Sequence, residues 1–550
     1  MRDCRGTRFL GSIGSMSFKT DWLRDRRGRL RPVGPGEPAG SGSGHASAPG
    51  DHAGSSARGH GRTGPPARPP SGLSGPELAA WAAEPAERAL ASLAEAAGGG
   101  HRLRQPLVPA ALLFGRRAGL DVDAAHLLAR WTNDIRHATS GDRRFPWASG
   151  GDESLGATAE LITAVELLRS VMDSADPVLA ESAERILDEL RPAIEDAFSV
   201  AVMAIDPTAD TLALWLLAHH PLAMEEFRDL SVATASRYGA VAHRNAGFVF
   251  QSRLGMLGGA PIAANTQLAA GIWALGLYPT LIGRIIGLAV RQREEDGSWS
   301  DRRGPDGVVV HDDLHATLVA ADLLLGLDPD FDPDPTIERF VDWRGPDGWW
   351  RLAPGDSGWV TPLVLGWLER TRRPFAERFS WPAAPKTHSD RKTGQPRYEY
   401  LADFGRALRF VPSLARRPID VAFCDLAGFG DYNEAFGQTA GDTVLAYFAT
   451  SLATAVPGGR VIRDGGDEFI VVGPPTWSGL RAALDGFSGG WPDAFRARFG
   501  PDAGMVRPRF VGTTDVAAEL LAVRDRLGRE IFDTKRRHPD PPEGGVIEWA

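Results

Sequence analysis

The spacing of apolar residues changes near residue 390, and this change divides the chain. Between residues 76 and 382, Ala- and Leu-rich stretches such as 159–168 recur at helical spacing and are punctuated by Pro and Gly. Strand-like alternation is scarce there, so the pattern predicts an all-α region. Residues 383–389, which include Pro385, are interpreted as a short linker.

From residue 390 to residue 550, apolar runs of strand length alternate with helical patterns. The predicted strands lie at 421–423, 469–472 and 507–511, and the predicted helices lie at 443–452 and 516–527, the last leading to Lys535. This mixture predicts an α/β domain of the palm-like kind.

The first 75 residues differ in composition from the rest of the chain. They are rich in Gly, Ser, Pro and Arg, with runs such as 40–44, and they lack the apolar content needed to fold, so we predict a disordered tail. The arginines between Arg24 and Arg31 make it basic. The alternatives are an electrostatic tether to nucleic acid or anionic lipid, and a solvated extension preceding Met16.

Composition narrows the class of protein. With 550 residues and 43% hydrophobic residues, the chain has room for two or three domains, and its net charge of −9 argues against nucleic-acid binding by the whole protein. The two cysteines, Cys4 and Cys424, imply no disulfide framework, which fits a reducing cytoplasm, so we expect a cytoplasmic protein. No apolar run is long enough to span a bilayer.

The all-α region contains a weak internal repeat. An aromatic turn precedes an Ala/Leu helix at 145–147, at 296–299 and at 347–350, which suggests stacked helical hairpins. The Asp-Gly-Ser-Trp turn resembles the repeats of squalene-cyclase and prenyltransferase α/α toroids. That resemblance implies a helical-hairpin toroid able to hold an apolar small molecule. No Asp-x-Asp-Asp motif is present, so catalysis is not carried over.

Histidines and tryptophans in this region have two interpretations each. His311 and His315 would share a helix face and form a metal site with Asp312 and Asp313. Alternatively, these residues cap a helix and lie on the protein surface. The His219-His220 pair marks a helix end or belongs to a functional site. The tryptophans either fill the core or line an apolar cavity.

Near the C-terminus, the segment 463–469 reads Arg-Asp-Gly-Gly-Asp-Glu-Phe and precedes the apolar run 470–472. Gly465 and Gly466 permit a tight hairpin, and the apolar run anchors one arm of it in a sheet. The adjacent carboxylates Asp467 and Glu468 would then face a ligand, and carboxylates at a turn suit Mg²⁺ with bound phosphates.

Two upstream segments occur in order with this hairpin. The segment 425–429 reads Asp-Leu-Ala-Gly-Phe and leads to Asn433 and to the Gly-Asp pair at 441–442, and 390–397 opens the region. Together they resemble the GGDEF family of diguanylate cyclases over roughly residues 388–550. The resemblance implies a palm-like domain that condenses two GTP molecules into cyclic di-GMP with two Mg²⁺ ions, or Mn²⁺, in a homodimer.

The resemblance also implies residue roles. Asp425, with the Leu426 carbonyl, and Asp467 would ligate metal, and Glu468 would assist the second metal or deprotonate the attacking 3′-hydroxyl. The nucleotide-contacting residues would be Asn433 and Asp442 at the guanine edge, Lys535 at the phosphates, and Gly465 and Gly466 where the backbone approaches the nucleotide.

The sequence departs from the family pattern at several positions. Gly430, Ala427, Gln438 and Pro539 stand where the family usually has Lys, Asp, His and Arg, and the Arg-x-x-Asp product-inhibition motif is absent. The cations that would compensate are Arg460, Arg463, Arg536 and Arg537.

Three functional hypotheses follow. The first is a diguanylate cyclase regulated by a helical sensor domain. The second is a degenerate domain that binds GTP or a partner without turnover. The third is a toroid that is itself an enzyme on a lipid or terpene-type substrate, with the C-terminal domain as its regulator.

Overall fold

The computed structural model separates the chain into two units, residues 1–62 and 63–550. It describes residues 22–24, 30–32, 73, 75–98, 110–113, 152–172, 177–178, 180–188, 191, 207–244, 262–277, 279–300, 313–352, 358–384, 386–501 and 504–550. In the first unit, strands β1 (Trp22–Arg24) and β2 (Leu30–Pro32) form an antiparallel pair. This pair departs from the predicted disorder of residues 1–75, and Gly75 already belongs to a helix. Apart from the two strands, Leu73 and Gly75, the predicted tail lies outside the described residues, so disorder there stays a prediction.

The region before residue 382 is helical, as its apolar spacing predicts. Its helices are α1 (Gly75–Gly98), α2 (Asp152–Met172), α3 (Pro207–His219), α4 (Pro221–Glu226), α5 (Arg228–Arg244), α6 (Ile262–Ala274), α7 (Pro279–Gln292), α8 (Asp313–Leu327), α9 (Asp334–Trp343), α10 (Thr361–Thr371) and α11 (Phe375–Arg378). Helix α6 is buried along nearly its whole length because α3, α5, α7 and α8 pack around it. None of the described helices combines the length and apolarity needed to cross a bilayer.

Two of the three predicted aromatic turns are described, and they share one hydrogen-bond pattern. Trp299 and Trp350 are fully buried, and each indole Nε1 donates to a backbone carbonyl ten residues earlier, that of Ala289 at 2.6 Å and that of Phe340 at 2.7 Å. The unit around Trp147 lies outside the described residues.

A threonine of the following helix closes each turn. The Thr317 hydroxyl accepts from the Trp299 N–H and donates to the Trp299 carbonyl, at 2.9 and 3.1 Å. The Thr361 hydroxyl makes the same pair of bonds with Trp350, at 3.0 and 3.1 Å. The repeat is therefore structural, whereas its closure into a toroid stays a prediction.

The C-terminal region contains a five-stranded sheet in the order β4-β5-β3-β6-β7. Its strands are β3 (Pro418–Ala427), β4 (Arg460–Gly465), β5 (Glu468–Val472), β6 (Arg507–Val516) and β7 (Val546–Trp549). All neighbours pair antiparallel except β6 and β7, which pair parallel. The three strands predicted from the apolar runs are present.

Helices accompany the sheet, which gives the predicted α/β domain. They are α12 (Tyr398–Phe410), α13 (Pro412–Ala415), α14 (Phe429–Phe436), α15 (Gln438–Ala455), α16 (Leu480–Phe499) and α17 (Leu520–Arg537). The observed elements are longer than most of the predicted ones, and one residue changes class, because Val516 ends β6 instead of starting a helix. Its pairing with Pro418 holds it in the sheet, and α17 begins only at Leu520.

The helical region and the sheet domain share one hydrophobic core. This core runs from residues such as Leu325 to Val421 and Leu527. Polar contacts cross the same boundary, since the Tyr400 hydroxyl donates to the Pro382 carbonyl at 2.8 Å and the Trp381 Nε1 donates to the Gly458 carbonyl at 2.7 Å.

Candidate active site

The hairpin between β4 and β5 has a two-residue tip, Gly466–Asp467. Gly466 has a φ of 46°, a left-handed conformation that favours glycine. Arg463 holds the tip, because its Nε and Nη2 donate to the Gly466 carbonyl at 3.1 and 2.6 Å. Its Nη1 donates to Asp390 Oδ1 at 2.7 Å, which ties the hairpin to the opening segment. Arg463 therefore contacts protein groups at this tip.

Three carboxylates meet at this end of the sheet. Asp425 and Glu468 are partners in register on β3 and β5, and Asp467 precedes Glu468 at the tip. Lys535, in the last turn of α17, places its Nζ 2.7 Å from Asp425 Oδ1 and 3.6 Å from Glu468 Oε1. The family motifs, which lie far apart in sequence, are thus brought together with the predicted phosphate-binding lysine.

Burial and mutual repulsion perturb these acids. The pKa of Asp467 is raised, first by burial and then by the charge of Asp425. The pKa of Glu468 is raised by burial and by Asp425 and Asp467, against the opposing charge of Lys535. Burial lowers the pKa of Lys535, but its hydrogen bond to Asp425 and the surrounding acids raise that pKa overall. The cluster therefore gains from an added cation.

Arg509 on β6 contacts Asp425, and the sequence pattern did not predict this contact. Its Nη1 donates to Asp425 Oδ2 at 2.9 Å, and both side chains are buried, with 8% and 4% of their surface exposed. Its Nε and Nη2 donate to the carbonyls of His538 and Pro539. An arginine within the predicted strand 507–511 was the available signal, because a buried guanidinium needs an acidic partner.

The fit of the donor set to a metal is mixed. Asp425, Asp467, Glu468 and the Leu426 carbonyl are the hard oxygen ligands that Mg²⁺ takes. Among the residues that the structure describes, however, no group of three His, Cys, Asp or Glu side chains is arranged to hold a metal. Instead, Lys535 lies between Asp425 and Glu468. A metal would have to take the place of this ammonium contact.

A second cluster lies on α14 and α15, where the resemblance predicts guanine contacts. Asn433 Oδ1 is buried and has no hydrogen-bond partner in the structure. Gly441 packs against it, since a Cβ at Gly441 would lie 1.8 Å from that oxygen. The next residue, Asp442, accepts from Lys392 Nζ at 2.7 Å, and both of these side chains are substantially exposed. The orphan acceptor is suited to an N–H donor such as a guanine edge provides.

The predicted compensating cations lie beside other partners. Arg460 lies over the Tyr400 ring, with 5.2 Å from its guanidinium carbon to the ring centroid. Arg536 pairs with Asp533, and Arg537 pairs with Glu548. Gly430 stands where the family usually has lysine. A Cβ built at Gly430 meets no atom within 4 Å, so there is open space beside this position.

The predicted histidine sites lie in the helical region. His219 ends α3, as expected, and contacts Asp322. His315 is buried with its Nε2 2.8 Å from Gln267 Nε2, whereas the side chains of His311, Asp312 and Asp313 lie outside what the structure describes. The predicted metal cluster there stays a prediction.

Comparison with known proteins identifies the C-terminal region. Residues 390–483 match the family model described as "Diguanylate cyclase, GGDEF domain". Among curated proteins, none matches the chain.

Several solved structures are similar to part of this chain. The coiled coil and GGDEF domain of DgcB from Caulobacter crescentus, in complex with c-di-GMP, is 18% identical with a TM-score of 0.26, and the match covers 30% of this chain and 86% of that one. Diguanylate cyclase SiaD from Pseudomonas aeruginosa, in complex with its activator SiaC, is 21% identical with a TM-score of 0.25, covering 30% and 61%. The GGDEF domain of TpbB (YfiN) from Pseudomonas aeruginosa is 27% identical with a TM-score of 0.23, covering 30% and 94%.

Proposed function

Given the GGDEF domain at residues 390–483, we propose that the C-terminal region is a diguanylate cyclase that condenses two GTP molecules into cyclic di-GMP. The observation that carries the proposal is the convergence of Asp425, Asp467, Glu468 and Lys535 at one end of the sheet. Phosphoryl-type transfer needs positioning and charge neutralisation more than covalent chemistry, and this cluster offers both.

Each side chain has a proposed task. Asn433 Oδ1 accepts from the guanine edge, and Asp442 joins it after releasing Lys392. Lys535 Nζ neutralises phosphate oxygens. Glu468 Oε1 takes the proton of the 3′-hydroxyl of one GTP, a role that its raised pKa assists. The 3′-oxygen attacks the α-phosphorus of the other GTP and pyrophosphate leaves. The same step in the opposite direction closes the ring and releases a second pyrophosphate. When bound at Asp425, Leu426, Asp467 and Glu468, Mg²⁺ or Mn²⁺ supplies further neutralisation of phosphate charge.

The assembly and control of the reaction are also part of the proposal. One domain binds one GTP, so condensation takes place in a homodimer, in the cytoplasm where GTP is available. The helical region regulates the cyclase domain. The hydrophobic core that the two regions share supports this part of the proposal. The Ser413 hydroxyl, just before β3, donates to the Leu327 carbonyl at the end of α8, so the two regions are in contact near the strand that carries Asp425.

Incubation of the purified full chain with GTP and Mg²⁺, followed by mass spectrometry, tests the activity. We expect the natural chain to form cyclic di-GMP. The rate of its formation by Asp467→Asn should be lower by more than about a hundredfold, the size of loss seen when one group that stabilises transition-state charge is removed from an enzyme. Asp485→Asn, on the exposed face of α16, is the matched control and should retain activity. Undiminished synthesis by Asp467→Asn overturns the proposed site.

A second function is favoured by one observation. Both oxygens of Asp425 already contact cations, Oδ1 with Lys535 and Oδ2 with Arg509. Such a domain would bind GTP without turning it over. Calorimetric GTP binding with no dinucleotide product, at protein concentrations that favour dimers, supports this alternative over the cyclase.

A further inference from the structure

The helical region contains a cavity of about 760 Å³ that the nucleotide chemistry does not use. That volume falls within the range of roughly 300–1,000 Å³ typical of small-molecule sites. Its wall is predominantly apolar and rich in indole rings, and prominent members are Leu90, Trp215, Leu216, Leu318, Trp359 and Trp367. Such a wall is suited to an extended hydrocarbon body.

One part of the cavity wall is built around a buried carboxylate. Asp322 on α8 has only 6% of its side chain exposed. Its Oδ2 accepts from Trp215 Nε1 at 3.0 Å and contacts His219 Nε2 at 2.8 Å, and its Oδ1 accepts from Arg370 Nη1 at 2.6 Å. Burial opposes ionisation, but His219 and Arg370 together hold the pKa of Asp322 well below its usual range. Both oxygens of the Asp322 carboxylate therefore already have partners among the residues that line the cavity.

The other charges on this wall are unevenly matched. Glu369 pairs with Arg373, which lies just beyond the end of α10. Arg372 lines the cavity and is exposed, and the structure gives it no acidic partner among the described residues. Glu87, on α1, is the acid on this wall without a described partner, and α1 packs against α10. The acids Asp322 and Glu369 are already paired, whereas Arg372 at the end of α10 offers an incoming anion a cation without an acidic partner among the described residues.

We propose that this cavity binds an amphiphile with a linear hydrocarbon chain and one anionic head group, a carboxylate or a phosphate. The chain lies along the leucine and tryptophan wall, and the head group lies at the arginine-rich end of α10 beside His219. The binding itself is independent of the proposed cyclase activity.

Gly366 offers a way to close the cavity without disturbing the fold. It lines the cavity on α10, and a Cβ built there meets no atom within 4 Å. Gly366→Leu therefore places a side chain in the cavity while improving helix propensity. Gly486→Leu is the matched control, because Gly486 lies in α16 of the sheet domain and is equally unobstructed.

Calorimetry on the full chain, with dodecanoate, dodecyl phosphate, dodecanol and dodecylamine as probes, tests the proposal. We expect one or both anions to bind at least about tenfold more tightly than the alcohol, as a charged hydrogen bond implies, and the amine to be weakest. Comparison of the two anions tells which head group is preferred. Gly366→Leu should weaken the binding of every probe, Gly486→Leu should leave binding unchanged, and Arg372→Gln should weaken the binding of the anions alone.

Three results overturn the proposal. Alcohol binding as tight as anion binding removes the head-group assignment. Unchanged binding by a folded Gly366→Leu removes the site, and so does the absence of binding by any probe. If Gly366→Leu unfolds, Arg372→Gln and the head-group series still decide, because Arg372 is exposed.

Discussion

Arg509 Nη1 donates to Asp425 Oδ2 over 2.9 Å, and the two residues face each other in register on β6 and β3. The same guanidinium donates to the carbonyls of His538 and Pro539, just beyond the helix that carries Lys535. A guanidinium therefore lies beside Pro539, where the family usually has an arginine. This contact fixes one oxygen of Asp425 and leaves the other facing Lys535.

Arg509→Leu is predicted to destabilise the sheet domain strongly. Removing one partner of a buried ion pair leaves an uncompensated charge, which costs about 3 kcal/mol or more. Lys535 remains as the second partner of Asp425 and limits the loss. Urea unfolding followed by circular dichroism measures the change.

Arg507→Leu, two residues earlier on the same strand, is the control for this prediction. Arg507 pairs with Asp540, whose side chain is 85% exposed, so its loss should change the free energy of unfolding little. Equal destabilisation by the two variants would show that the Asp425 contact has no special weight.

The contrast between the hairpin and Arg509 shows what the sequence predicts well. The tip at Gly466–Asp467 depends on adjacent residues and local backbone freedom, so its position was predictable from segment 463–469. The pairing of Arg509 with Asp425 depends on strand register across 84 positions of sequence, which local patterns do not encode. The cavity around Asp322 depends likewise on how separate helices pack, so its composition was not predictable. The start of α17 was misplaced because strand and helix patterns are both apolar near Val516.

Asp467→Asn is predicted to stabilise the domain at neutral pH even as it removes activity. A carboxyl whose folded-state pKa is raised binds more protons folded than unfolded between the two pKa values, so stability falls as pH rises through that window. At pH 7 the carboxylate is charged and bears the full cost of its burial and of repulsion by Asp425, and the variant removes that charge. Thermal unfolding should show a gain at pH 7 that shrinks through the mildly acidic range toward pH 4. A variant less stable than the natural chain at pH 7 would show that Asp467 holds the hairpin together.

Asn433→Ala is predicted to separate stability from base recognition. The buried Oδ1 lacks a partner, so its removal should stabilise the ligand-free domain by roughly 1 kcal/mol. The preference for GTP over ATP should fall by about tenfold or more, because the guanine edge loses its acceptor. Competition binding with the two nucleotides measures this, and Gln438→Ala, an exposed amide at the start of α15, serves as the control. An unchanged preference would remove Asn433 from the base site.

Thr317→Val and Thr361→Val are predicted to destabilise the helical region by similar amounts. Each threonine hydroxyl makes two hydrogen bonds to the backbone of a buried tryptophan, Trp299 or Trp350, and valine leaves both groups unsatisfied at a cost of about 1–3 kcal/mol. Thr371→Val is the control, because the described contact of the Thr371 hydroxyl is one carbonyl within its own helix. Chemical unfolding followed by tryptophan fluorescence compares the three variants. If the two turns are equivalent structural repeats, Thr317→Val and Thr361→Val should lower the free energy of unfolding equally, and Thr371→Val should lower it less. A loss of stability at one turn alone would contradict that equivalence.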